Sequence, residues 1–219
     1  MSKKATVLGV SIDNYTFKGA ITRAGKYLDD MVVNVIQMVS LKTINEAADD
    51  EMLKDYLEKV DLSVVSDVQV LQMIGEPTKG RLREVGDGFF VKAYLRRIKD
   101  AKKTVCLLVP SEEVGNRFNK FLSDEDINLN IVSTVVADTG SENFNWETVA
   151  NEINSNSVGV VVSMLDIARN RDFLQDYKNF LSVEAFWAVG SEPETFAHKQ
   201  RGFAGLKRRI LRRLAYRKA

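Results

Sequence analysis

The sequence predicts an α/β fold, a doubly wound and mostly parallel sheet with a short basic helical appendage at the C-terminus. Three observations predict it. Apolar, β-branched runs alternate with amphipathic stretches almost from end to end. Several of those runs are apolar without alternation, which suits strands covered on both faces. The composition, 45% hydrophobic and 28% charged over 219 residues, is that of a folded chain able to bury a sizeable core.

The elements follow in order. "ATVLGV" (5–10) reads as the first strand and 16–30 as the first helix, before the strand "VVNVIQMV" (32–39). The stretch 41–58 sets Leu41, Ile44, Ala48, Met52 and Leu53 near helical spacing, with acids and lysines opposite, and predicts one helix. "LSVVS" (62–66) is a strand, 86–101 a helix, and "KTVCLLV" (103–109) a strand. Cys106 lies inside that run as a small buried hydrophobe; as the single cysteine it forms no internal disulfide, which points to a reducing compartment. A helix over 111–124 leads to "LNIVSTVV" (129–136), and the polar loop "ADTGSENFN" (137–145) to a helix over 145–155. "VGVVVSM" (158–164), a helix over 167–181 and "VEAFWAVG" (183–190) complete the alternation, with Trp146 and Trp187 read as core. After "GSEPETF" (190–196) the chain turns basic, so residues 1–195 are expected to form a Rossmann-like domain and 196–219 an appendage.

In an open parallel sheet, ligands gather outside the carboxyl ends of the strands. That singles out Ser40, Asp67, Pro110, Asp138, the stretch 163–166, and Gly190 with the two residues after it. Familiar chemistries find no motif. "GVSIDNY" holds one glycine where a dinucleotide fingerprint has three, no Gly-Lys-Thr phosphate loop exists, and no serine elbow is present. One Cys and one His cannot build a metal cluster, and His198 sits among Lys199 and Arg201 as a surface residue.

From "VLGVSIDNYTFKGA" to about Arg201, the order of elements resembles the WecG/TagA/CpsF glycosyltransferases of bacterial surface-polysaccharide and teichoic-acid synthesis. Leu8, Gly9, Val10, Ile12, Asp13, Thr16 and Ala20 match that family's opening phrase, and "RLREVGDGFF" resembles its Arg-x-x-Gly segment. The resemblance implies transfer of a sugar, commonly an N-acetylated hexosamine, from a UDP-sugar to a lipid-linked acceptor, with no metal or other cofactor. It also implies roles for particular residues. Asp67 matches the aspartate proposed as the base, while Arg83 and Gly86 match the Arg-x-x-Gly pair, with Arg83 expected at the diphosphate. Ser40, Asn170, Arg171, Gly190 and Ser191 stand where the family contacts substrate.

Departures are many. The family's Thr-x-Asn reads Met38-Val39-Ser40, its Pro-Asp-Gly reads Ser66-Asp67-Val68, and a glycine pair becomes Val109-Pro110. Asn170 and Arg171 replace the Gln-Glu of a Gly-x-Pro-x-Gln-Glu signature, and the late glycine-rich turn shrinks to Val189-Gly190-Ser191.

The net charge of +1 conceals an asymmetry. Lys207, Arg208, Arg209, Arg212, Arg213, Arg217 and Lys218 lie in the last fourteen residues, and without those seven the body has 24 basic against 30 acidic residues, or −6. With Leu206, Ile210 and Leu214 on one helical face, the tail suits the surface of an anionic membrane. In the resembled family an appendage carries the enzyme to the membrane and helps complete its site. The expected address is therefore cytoplasmic, peripheral on the inner face of the cell membrane. Nucleic acid is the weaker partner, because the body is acidic and shows no RNA-binding motif; a solvated helix packed on the domain is the other reading of the tail. Two functions follow: a UDP-sugar-dependent transferase, or a catalytically silent relative that regulates or scaffolds a partner glycosyltransferase. A homo-oligomer is a further candidate assembly.

Overall fold

The first apolar run does not make one strand. In the computed structural model, which describes residues 4–75, 78–142 and 144–190, it turns back on itself. β1 (Lys4–Val7) and β2 (Val10–Asp13) pair antiparallel, with Val7 opposite Val10 across a two-residue turn. Leu8 (φ 49°) and Gly9 (φ 79°) are both left-handed, as a type I′ hairpin requires. The expectation of a single strand over 5–10 fails because apolar residues hide a turn that only Gly9 betrays.

The main sheet among the described residues has six parallel strands: β3 (Asn34–Val39), β4 (Leu62–Val65), β5 (Thr104–Val109), β6 (Asn130–Val136), β7 (Val160–Ser163) and β8 (Ala185–Ala188). Their spatial order is β4-β3-β8-β7-β5-β6, so the last strand in sequence enters the middle. β3, β7 and β8 are buried at every position, which explains their unbroken apolar runs.

Helices cover both faces. On one side α1 (Phe17–Lys26), α6 (Phe89–Asp100) and α7 (Glu112–Asp124) pack Ala24, Tyr94, Leu95 and Phe118 against Ile36, Leu107, Val162 and Trp187. On the other, α8 (Trp146–Ser155) and α9 (Ile167–Tyr177) pack Ile153 and Phe173 against Cys106, Leu108, Val161 and Phe186. Trp187 is fully buried, and so is Cys106, whose thiol burial pushes up to about 11. Both are core, as expected. The doubly wound parallel architecture is therefore what the sequence predicts.

A third cluster joins the hairpin to α2 (Leu41–Ala48), α3 (Glu51–Lys59) and α4 (Val68–Ile74). The single helix expected over 41–58 is two, because Asp50 caps α3 by accepting from the amides of Met52 (2.8 Å) and Leu53 (3.2 Å). β2 lies beside edge strand β4, where Asp13 and Ser63 exchange bonds. The Asp13 amide donates to Ser63 Oγ at 2.6 Å, and the Ser63 amide donates to Asp13 Oδ2 at 3.0 Å. The hairpin thus covers one edge of the sheet.

Candidate active site

Asp67 stands two residues beyond β4 and caps α4. Its Oδ1 accepts from the Gln69 amide at 2.8 Å, and its Oδ2 accepts from the Leu41 amide at 3.3 Å. Leu41 is the first residue of α2, whose cap is Ser40 in a reciprocal pairing with Thr43. One carboxylate therefore bridges the N-termini of two helices, where their unpaired amides favour an anion. The parallel pairing of β3 with β4 is what sets those termini side by side, and it brings Ser40 and Asp67 together.

Beside them opens a cleft. Its walls are the junction of β2 and α1 (Asp13, Tyr15, Phe17), the end of β4 (Ser63 to Ser66) and α5 (Lys79–Gly86) with the start of α6. Met38 lies in it, where the family's threonine would be. The cleft is narrow and open to solvent, with a volume of about 50 Å³. Buried Asp13 faces this space; its Oδ1 pairs with Lys4 Nζ at 3.3 Å and its Oδ2 accepts from Ser63 Oγ at 3.2 Å. From α5, Arg81 reaches across the cleft, donating through Nη2 to Asn14 Oδ1 at 2.6 Å and to the Tyr15 carbonyl at 3.1 Å.

The remaining expected residues disperse. Arg83 stands on the outer side of α5, its side chain 77% exposed and its Nε 3.4 Å from Asp87 Oδ2. Neither Arg83 nor Asp67 lines the cleft. Gly86 ends α5, and a Cβ there would lie 3.7 Å from Val68 Cγ2, an ordinary contact.

Asn170 is fully buried. Ser163 Oγ donates to its Oδ1 at 2.6 Å, its Nδ2 donates to the Leu165 carbonyl at 3.1 Å, and the Leu165 amide donates to Ser163 Oγ at 3.3 Å. This ring fixes the connection from β7 to α9. Arg171 turns to the opposite face, pairing with Asp50 at 3.6 Å and with Asp172, in a groove between α3 and α9. Gly190 (φ 90°) closes β8 at the carboxyl edge. Ser191, His198 and the seven basic tail residues lie outside the described residues, as does the appendage expected over 196–219.

Two cleft residues carried no assigned role in the sequence. Asp13 was visible only as part of the opening phrase, whose other members now have tasks: Gly9 makes the turn, Ile12 is core, and Thr16 caps α1 by accepting from the Gly19 amide at 3.2 Å. Arg81 lies two positions before Arg83, and helical geometry alone sends the two to different sides. Among the described residues no helix is long and apolar enough to cross a membrane.

No curated protein matches the chain. Its family is nonetheless clear: the pattern of the WecG/TagA/CpsF glycosyl transferases matches residues 5–217, nearly the whole chain, and the protein belongs to that family.

Proposed function

We propose that the protein moves a sugar of N-acetylhexosamine type from a UDP-sugar to the hydroxyl of a lipid-linked acceptor, in bacterial surface-polysaccharide or teichoic-acid synthesis. The observation that carries this reading is the carboxylate of Asp67, held between two helix N-termini at the carboxyl edge of the sheet, one residue from a cleft that reaches Ser66.

The reaction is a single displacement. Asp67 takes the proton from the acceptor hydroxyl, the oxygen attacks the anomeric carbon, and the bond to the diphosphate breaks with its electron pair leaving on UDP. Arg83 serves that leaving group. Its pairing with Asp87 is an exposed i,i+4 contact, worth about 0.3–0.5 kcal/mol, so the side chain is cheaply released toward substrate. The donor sugar occupies the cleft, and the basic tail holds this edge of the sheet against anionic lipid.

Asp67→Asn tests the base. Asparagine keeps one accepting oxygen for the Gln69 amide and loses the longer bond from Leu41, a cost of about 0.5–1.5 kcal/mol, so folding should persist while transfer falls by about 10²–10⁴-fold. Transfer unchanged in this variant would remove Asp67 from the chemistry.

One observation favours a second reading, a silent relative that regulates a partner enzyme: Arg83 points to solvent while Asn170 is buried in the fold. Calorimetry with UDP and UDP-sugars, tail intact and lipid present, separates the two. Heat of binding supports the transferase, and none at millimolar ligand supports the silent relative.

A further inference from the structure

Helix α5 differs from its neighbours in the described chain. None of its eight residues is buried, whereas α4 before it buries Val70 and Leu71 and α6 after it buries Phe90, Val91, Tyr94, Leu95 and Ile98. Segments with so little apolar burial sit at the low end of a protein's local stability. Glycines in the left-handed region mark both flanks, Gly75 at the C-cap of α4 (φ 82°) and Gly88 at the N-cap of α6 (φ 62°). Yet α5 supplies Arg81, Glu84 and Val85 to one wall of the cleft. With α5 in this position the cleft is narrow, about 50 Å³.

We infer that α5 is a lid over the cleft and that Arg81 is its latch. The bonds from Arg81 Nη2 to Asn14 Oδ1 and to the Tyr15 carbonyl tie the helix to the far wall, the junction of β2 and α1. A guanidinium suits this work, since its planar fork engages a side chain and a backbone carbonyl from one fixed group. Opening moves α5 as a unit about its glycine flanks and leaves the core of α6 in place. Closing puts Glu84 and Val85 over the bound sugar and keeps water from the reacting carbon. Arg81 is thus a positioning residue that acts through α5. The identity of the sugar-bearing ligand rests on the transferase reading; the latch does not.

Hydrogen exchange on the full-length protein, read by mass spectrometry without ligand, tests the latch directly. Arg81→Ala should speed exchange of the amides of 79–86 about tenfold or more, the effect of losing a charged hydrogen-bond pair. Asn14→Ala should speed the same amides, the double variant should add little, and Arg81→Lys should fall between. The melting temperature and the exchange of α6 should hold. Unchanged exchange over 79–86 in Arg81→Ala overturns the latch, and so does faster exchange spread evenly through the core with a lowered melting temperature. Stopped-flow with UDP adds a second readout: Arg81→Ala should raise the association rate severalfold, and an unchanged rate for UDP that does bind counts against a lid. If UDP binds to neither protein, the donor assignment falls and the exchange data alone decide the latch.

Discussion

Asn170 shows how a single side chain can be legible in type and not in task. A polar residue near the start of a helix reads from sequence as a surface group or a ligand contact, because periodicity gives the face of a helix only where apolar residues mark it. In the fold it is sealed beneath Leu165, and its carboxamide meets Ser163 and a backbone carbonyl. Asn170→Ala removes the acceptor of the buried Ser163 hydroxyl and the donor to the Leu165 carbonyl, at a cost of about 1–3 kcal/mol, measurable as a lowered urea midpoint. Cys106 is the opposite case: an uninterrupted apolar run fixed its place in the core without any structure. Asp67 lay between. Its position at a strand's carboxyl end was readable, but the reach of its second oxygen to Leu41 depends on β3 pairing with β4, a long-range fact.

Among elements, the six strands of the main sheet were readable because burial on both faces leaves unbroken apolar runs. Two helices were not. α5 buries no residue fully and its only apolar side chains are Leu82 and Val85, too few for a stripe, while α4 is only seven residues long. The hairpin was hidden by Leu8, an apolar residue in a turn position that favours Asn or Gly. Its left-handed backbone costs about 1–2 kcal/mol for an ordinary side chain. Leu8 is also 53% exposed, so replacing it forfeits little packing. Leu8→Asn should therefore raise stability by about 0.5–1 kcal/mol, seen as a higher thermal midpoint with activity unaltered.

For the whole molecule the governing quantity is the division of charge, a body near −6 and a tail of seven cations. Anionic lipid repels the first and attracts the second at about 1 kcal/mol per cation close to the surface. Removing 206–219 should abolish co-sedimentation with phosphatidylserine-containing vesicles while leaving the melting curve of the body intact, and raised salt should reproduce the loss in the full chain. Undiminished sedimentation of the shortened protein would assign membrane contact elsewhere. The described chain reaches its carboxyl edge at Gly190, at the end of the central strand, so a tether there would turn the strand ends, Asp67 among them, toward the lipid.

The position of β8 also governs how the protein comes into being. It lies between β3 and β7 and bonds to both, so among the described strands the pair β3–β4 and the trio β7, β5 and β6 share backbone hydrogen bonds only through it. During synthesis the inner edges of β3 and β7 can gain their shared neighbour only once residues 185–188 have left the ribosome. That pairing joins partners far apart in sequence, the kind of contact that closes late and slows the folding of parallel sheets in general.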